Sequence, residues 1–446
     1  MEDIKPHYTT ETKLTRIASL SGEDPHRTFK SLMHHFNEES LKECFNLLEG
    51  KKAVGVDGIE KEQYAKDLDK NIGELLERMK RMAYRPGSVR QVEIPKEGSP
   101  GSTRPLGICN IEDKIVQKMM QRILESIYEP LFLKSSYGFR RGISAHDAIK
   151  DMHDHLYRNR VETVIDIDLA NYFGTIDRKL LENMLREKIK DEKFIRYIIR
   201  MFKAGVLADG ELIVSDLGVI QGSITSPILA NIFAHHVIDE WIERQVKPNC
   251  VGQVQLYRFC DDAVICCQFE KDTLRIMEVL GKRLAKYGLT LNKEKTKLVD
   301  FRKEPGKRAS FDFLGFTHYL GRSKNCYIIP KAKTIGKRMN AKLKKVDEWA
   351  RSVRNHMKMP EIWKRFCSKL RGHINYYAIS NNLKRVNGFV WRASRILFKC
   401  APQAHKVVTK GFITKCCEAV GKMVVGPPKS VVRNRFQTPP SGCYQK

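Results

Sequence analysis

Residues 254–270 read VQLYRFCDDAVICCQFE. Apolar runs at Leu256–Phe259 and Ala263–Phe269 bracket Cys260, Asp261 and Asp262, which predicts a tight β-hairpin with paired carboxylates at its tip. Aspartates are ordinary turn formers, and an exposed tip would need no further explanation. Held between buried strands, the same pair is desolvated and self-repelling, a situation relieved when the carboxylates coordinate a hard divalent cation such as Mg²⁺ through oxygen. A site for two such ions needs at least one more acid. VETVIDIDLANYF, from Val161, offers one: along a strand over Thr163–Leu169 the side chains alternate, so Asp166 and Asp168 share a face and either suits the role.

A chain of 446 residues, 42% of them hydrophobic, is long enough for two or three cores, so a multidomain protein is expected. Lys and Arg number 80 against 52 acids, a formal charge of +28. The surplus is uneven. From Lys331 to Lys446 there are 27 Lys and Arg against four acids (Asp347, Glu348, Glu361 and Glu418), leaving only +5 for residues 1–330. So basic a segment suits nucleic acid, where clustered cations release counterions from phosphates; an anionic membrane surface is the competing partner. The N-terminal MEDIKPHYTTETKL is polar, and no run of about 18 apolar residues occurs, so the expectation is a soluble, cytoplasmic protein without a membrane partner, its charge favouring association with the nucleoid. The twelve cysteines include no C-x-x-C pair, and reduced thiols are expected rather than a zinc site.

Short polar helices are predicted within residues 10–50, then a turn at Gly55-Val56-Asp57-Gly58. Tyr64, Leu68, Ile72, Leu75, Leu76, Met79 and Met82 recur at helical spacing, predicting one long helix between Gln63 and Tyr84. VRQVEIP (Val89–Pro95) alternates as a half-buried strand, and a Gly/Ser/Pro-rich loop leads to a return strand at RPLGI (Arg104–Ile108). That hairpin brings Lys96 and Arg104 to one end, an arrangement that suits a triphosphate as well as a solvated loop. Further helices are predicted over Asp113–Tyr128, from Ser226 and over Leu274–Tyr287, with Phe313-Leu314-Gly315-Phe316 a short strand. Near the basic end, Ile335, Met339, Leu343, Val346, Trp349 and Val353 form one apolar stripe. Lys337, Arg338, Lys342, Lys344, Lys345, Arg351 and Arg354 crowd the other surface, matching an A-form duplex or a structured RNA held through its backbone.

The succession of motifs resembles the reverse transcriptases encoded by group II introns. The likeness is carried by VGVDG (54–58), VRQVEIPK (89–96), RPLGI (104–108), SYGFR (136–140), DLANYF (168–173), QGSITSPILANI (221–232), FCDD (259–262), LTLNKEKTK (289–297) and FLGF (313–316), with LRGHINYY (370–377) similar to the maturase block. It implies an α+β right-hand polymerase: an N-terminal extension and fingers over 1–160, an antiparallel-sheet palm over 161–325, a helical thumb or maturase domain over 331–425 and a flexible basic tail over 426–446. No His-Asn-His nuclease pattern follows the thumb block, so a member lacking the endonuclease is expected.

The resemblance also implies roles. Asp168 becomes the first-strand ligand, leaving Asp166 structural, and with Asp261 and Asp262 it would hold two Mg²⁺ ions for nucleotidyl transfer. Phe173, five residues after Asp168, would pack against the incoming sugar and favour deoxynucleotides. Lys96 and Arg104 would bind the triphosphate, Gln221 and Gly222 would border the incoming base pair, and Lys295 would stabilise pyrophosphate. Arg140 and Arg141, with Lys337, Arg338, Lys342, Lys344 and Lys345, would grip RNA. Phe259 stands where the family usually has tyrosine, and His373 where it often has tryptophan. The implied partners are an RNA template, a DNA primer, dNTPs and a structured intron RNA whose splicing the protein assists. Two other readings share these motifs: a domesticated relative serving phage defence or repair, and an RNA-binding maturase with vestigial polymerisation, against which the intact aspartates argue.

Overall fold

A computed structural model of the chain describes residues 9–50, 52–95, 101, 103–208, 210–304, 309–323 and 325–400. In chain order the helices and strands are α1 (Thr10–Glu23), α2 (Glu38–Leu47), α3 (Lys61–Ala65), α4 (Leu68–Lys80), β1 (Val89–Pro95), β2 (Thr103–Ile108), α5 (Ile111–Tyr128), α6 (Ala145–Arg158), β3 (Thr163–Ile167), α7 (Tyr172–Thr175), α8 (Arg178–Lys188), α9 (Glu192–Lys203), β4 (Val206–Ala208), β5 (Glu211–Ile213), α10 (Ser226–Ala234), β6 (Val254–Phe259), β7 (Asp262–Cys267), α11 (Glu270–Lys286), β8 (Lys297–Asp300), β9 (Ser310–Phe313), β10 (Phe316–Arg322), β11 (Ile328–Thr334), α12 (Gly336–Val353), α13 (Met359–Tyr377) and α14 (Leu383–Cys400). Two compact units result. One takes the described residues to Leu314 with Tyr319–Pro330, and the other takes Gly315–His318 with the described residues from Lys331 onward.

The first unit is organised around α5 and α10, in which no residue is exposed. Ile115, Val116, Met119, Met120, Ile123, Leu124 and Ile127 of α5 are all fully buried, as are Ala230, Ile232, Phe233 and Ala234 of α10. A helix with no solvated stripe belongs in the middle of a core, and each large side chain so buried stabilises by about 1.5–3 kcal/mol. Two four-stranded sheets flank this core: β2-β1-β4-β5, in which β1 and β4 run parallel, and the antiparallel β6-β7-β3-β8. The VGVDG turn is pinned to the start of α5, where the Asn110 side-chain oxygen accepts from the amides of Val56 and Asp57. Inside the same corner Asp113 accepts from the Tyr84 hydroxyl and the Gly87 amide, and burial pushes its carboxyl up to about 6.

Three sequence expectations need correction. The helix expected between Gln63 and Tyr84 is two helices, α3 and α4, broken at Asp67, whose backbone (φ −121°, ψ 40°) leaves the helical region; the Asn71 side chain fills the break by donating to the Tyr64 carbonyl. Phe313–Phe316 is the turn of a β9–β10 hairpin rather than a strand, with Leu314 and Gly315 at φ 48° and 83°, the paired left-handed residues of the tightest hairpin connection. The strand at Thr163 stops at Ile167, and Leu169 keeps only an isolated bridge to Leu291. The tail over 426–446 lies outside the described residues.

In the second unit the expected stripe holds: Met339, Leu343, Val346 and Ala350 are the buried face of α12. Asn382 ties the helices to β11 by accepting from the Thr334 amide and donating to the Thr334 hydroxyl and the Tyr377 carbonyl. His373 occupies an aromatic position, its ring stacked 3.6 Å from Phe389 and 4.6 Å from Tyr377. Among the described residues neither ring nitrogen has a hydrogen-bond partner. Burial, and then the charge of Lys342, lower its pKa to about 3. The native ring is therefore neutral, while an unfolded histidine gains a proton below pH ~6.5. Stability from this source is complete above that pH and is lost as pH falls toward 3. The variant His373→Phe should resist urea better than the parent by an increment that widens below pH 6.5, by about 2 kcal/mol at pH 5. Parallel curves across pH 5–7.5 would contradict it.

Candidate active site

The register of the β6-β7-β3-β8 sheet sets the acidic residues. Phe259 pairs with Asp262 across the hairpin, Asp166 with Val264, and Asp166 on its other side with Lys297. The β3–β7 ladder ends at Ile167 and Ala263, and Asp168 and Asp262 are the residues that follow on either side of that last pair; the Lys295 ammonium lies 3.3 Å from the Asp168 carboxylate. Asp261 occupies the turn itself. Among the described residues no three His, Cys, Asp or Glu side chains already surround one point as a closed metal cage. The donor set nevertheless suits a hard cation by its chemistry: carboxylate oxygens from the residue just after β3, from the start of β7 and from the turn between β6 and β7, with Asp168 part-exposed.

Asp166 carries a raised carboxyl pKa. Burial first, then the charges of Asp262 and Asp312, push its carboxyl up to about 7 despite the opposing cation of Lys297, and Asp168 adds to the rise. Asp312 and Lys297 carried no signal in the sequence, because β8 and β9 reach this sheet end only through tertiary pairing.

Beneath the turn lies a group that the sequence reading missed. Arg258 is completely buried. It donates to both Asp239 oxygens at 2.7 and 2.6 Å, to the Asn231 side-chain oxygen at 3.1 Å, to the Ser136 hydroxyl at 2.6 Å and to the Cys260 carbonyl at 3.1 Å. One cation inside an otherwise apolar strand pattern was the available clue, since a buried charge requires partners. The SYGFR segment runs along the outside of β6: the Tyr137 amide donates to the Arg258 carbonyl and the Arg258 amide to Ser135. Gly138 is obligatory there, because a Cβ would stand 2.5 Å from the Cys260 nitrogen.

The remaining predicted residues gather through backbone ties. The Gly107 amide donates to the Gln221 carbonyl at 2.6 Å, and the Val219 amide to the Phe173 carbonyl at 2.8 Å, so the Gly218–Ser223 loop lies between the Arg104-bearing strand and the segment after Asp168. Phe173 is half-buried against the core, edge-on to Tyr172. Arg104 is exposed on β2, and Lys96 lies outside the described residues. Arg140 corrects an expectation: its side chain is 10% exposed, bonded to Glu129 and to the carbonyls of Leu133 and Ser136, and so is a structural brace rather than a free RNA contact. Arg141 is exposed and pairs with Glu125. In the second unit Lys337, Lys344 and Lys345 are exposed, Arg338 is half-buried, and Lys342 lies 4.7 Å over the Tyr377 ring. Tyr377 is buried, whereas Trp391 is half-exposed beneath the Arg395 guanidinium on α14, a helix without a single acid.

Residues 94–318 match the reverse transcriptase (RNA-dependent DNA polymerase) family, and the chain belongs to it. Protein YkfC of Escherichia coli K12 is 30% identical over 70% of this chain and 88% of its own length. The group II intron-encoded protein LtrA of Lactococcus lactis is 32% identical over half of this chain, and a putative COX1/OXI3 intron 2 protein of Saccharomyces cerevisiae is 33% identical over 61% of it. The resemblance to group II intron-encoded reverse transcriptases is thereby upheld. The chain spans about a third of the length of these two intron proteins, 37% and 31% respectively. Among the described residues no helix is long and apolar enough to cross a membrane.

Gly222 tests the loop's geometry. Its φ is +108°, and a Cβ there would meet the Gly107 carbonyl oxygen at 2.4 Å. Gly222→Ala should add about 1–3 kcal/mol of local strain and lower cDNA synthesis on a short primer-template roughly tenfold or more, with RNA affinity unchanged. Parental rates in that variant would mean that the loop does not border the reaction.

Proposed function

We propose that the chain is an RNA-directed DNA polymerase working by two-metal-ion nucleotidyl transfer, with residues 1–160 as fingers, 161–325 as palm and 331–425 as thumb. The observation that supports this reading is the sheet end where the β3–β7 ladder closes at Ile167 and Ala263, next to Asp168 and Asp262, both of which act on the Asp166 carboxyl, with Asp261 on the adjoining turn. Asp168, Asp261 and Asp262 would hold two Mg²⁺ ions, which when bound activate the primer 3′-hydroxyl and neutralise the leaving pyrophosphate. The other groups act around that centre. Lys295, already beside Asp168, supplies a cation at the edge of the site where pyrophosphate charge develops. Arg104, with Lys96, binds the triphosphate of the dNTP, Gln221 and Gly222 border the nascent base pair, and Phe173 packs against the sugar where a 2′-hydroxyl would clash. Replacing Asp261 by Asn should abolish Mg²⁺-dependent cDNA synthesis and leave RNA affinity close to that of the parent, because the lost charge lies on the palm hairpin. Full activity would remove the two-metal assignment.

The second unit is proposed to grip the template-primer duplex and a structured intron RNA, assisting splicing and mobility in the cytoplasm. Two features support this: the exposed cations of α12, and α14 with its exposed Trp391 and no acidic residue. Exchanging Lys337, Arg338, Lys342, Lys344 and Lys345 for Gln barely alters helix propensity and removes up to five phosphate contacts. The logarithmic salt dependence of RNA affinity should therefore flatten by as much as about four units. Polymerisation on a short, preformed primer-template at low salt should suffer less. An unchanged salt slope would assign the five cations to a solvated surface.

A further inference from the structure

Asp261 sits on a turn whose conformation is costly. Cys260, the first of its two central residues, has φ +62°, a left-handed geometry that a two-residue hairpin normally gives to glycine. Cys260 is buried, and the peptide on its C-terminal side leads directly into Asp261 and Asp262. It is held there through Arg258 of β6, which is anchored to groups outside the hairpin. The Cys260 carbonyl accepts from the Arg258 guanidinium, which is itself fixed by both oxygens of Asp239, by Asn231 and by Ser136. Asn231 closes the set by donating to the Gly138 carbonyl, in the segment that packs against the turn.

The source of Asp239 is telling. Asn231 lies in α10, which begins just after the Gln221–Ser223 loop, and the helix continues past Ala234 through a π-helical turn, His235–Asp239. In a regular α-helix, residues eight apart are rotated by about 80°, too far for two short side chains to meet one guanidinium. A π-turn accommodates about one extra residue, which brings positions 231 and 239 to within about 20° of one face. Arg283 donates to the carbonyls of His236 and Val237, two groups within that distorted turn. The irregular helix is thus shaped so that Asp239 and Asn231 converge on Arg258.

We propose that Arg258 is a positioning residue for the metal-binding turn: paired with Asp239 on the π-turn, it clamps the Cys260 carbonyl and so holds the Asp261 and Asp262 carboxylates in place for divalent cations. The proposal rests on the assignment of those aspartates as ligands. A buried ion pair used only for packing can be exchanged for apolar residues of similar volume with little change in stability. A clamp cannot be replaced in that way, because the bond to the turn is lost along with the charge.

The full-length protein is compared with its Arg258→Met/Asp239→Leu, Arg258→Lys and Asp261→Asn variants. Four readouts are thermal unfolding, RNA affinity, binding of Mn²⁺ followed by the loss of its free-ion paramagnetic resonance signal, and the Mg²⁺ concentration giving half-maximal cDNA synthesis. In the double variant RNA affinity should stay near the parent's and the unfolding temperature should fall, because Asn231, Ser136 and Cys260 lose their donor. Mn²⁺ binding should weaken and the Mg²⁺ midpoint rise, each by about 10–100-fold, the usual effect of removing a group that orients a metal ligand. Excess Mg²⁺ should restore part of the rate. Should the double variant not fold, Arg258→Lys decides: it retains a charge for Asp239 but lacks the donors for Cys260 and Asn231, and the same rise in Mg²⁺ midpoint is expected. A folded variant of either kind with parental Mn²⁺ binding and Mg²⁺ midpoint overturns the clamp. Asp261→Asn separates the two levels. If it keeps metal binding and activity, the ligand assignment itself falls; if it loses both while the Arg258 variants do not, only the clamp falls.

Discussion

Like charges gathered in one place set the terms for the first unit. Asp262, Asp312 and Asp168 act on Asp166 at one end of the β6-β7-β3-β8 sheet and, on top of its burial, push its carboxyl up to about 7. Left to themselves, such groups would move apart or take up protons. The surrounding structure prevents the first: the strands are locked by ladder pairing, and Lys295 and Lys297 come in from β8 and the residues before it to offset part of the charge. A sheet end that concentrates negative charge against fixed cations is a place prepared for more positive charge.

Rigidity there is obtained from buried polar bonds rather than from apolar packing alone. Burial pushes the Asp239 carboxyl up, but Arg258, with a smaller contribution from His235, holds the group below the usual carboxylate range. With every nitrogen of the guanidinium engaged, the desolvation of the ion pair is compensated and its geometry is narrow. Glycines serve the same end by permitting close approach. Gly138 lets the SYGFR segment lie against the Cys260 backbone, and Gly107 and Gly222 let β2 and the Gln221 loop touch. Several motifs along the chain are therefore parts of one backbone junction.

The second unit follows different physics. Its helices bury a conventional apolar stripe, and their outer surfaces carry cations that few acids oppose. His373 shows how little the core asks of polarity: stacked between aromatic rings and lacking hydrogen-bond partners, it serves as a flat, neutral filler.

Much of this was legible in the primary structure. Strand alternation announced β1 and the shared face of Asp166 and Asp168, and continuous apolar runs announced the β6–β7 hairpin, because both patterns are local properties of a strand. Charge asymmetry announced the basic unit, since a count of side chains needs no fold. The break between α3 and α4 and the turn at Leu314-Gly315 escaped, because both depend on backbone angles that neighbouring contacts stabilise. Arg140 and Arg258 mark the boundary most clearly. Arg140 reads as a cation available to a ligand and Arg258 as one member of an apolar strand run, and each is turned inward onto carboxylates and carbonyls brought from other parts of the chain. Residue type determined that charge would be present at those positions; only tertiary packing decided what it faces, because the cost of burying a cation is met by partners that sequence spacing does not reveal.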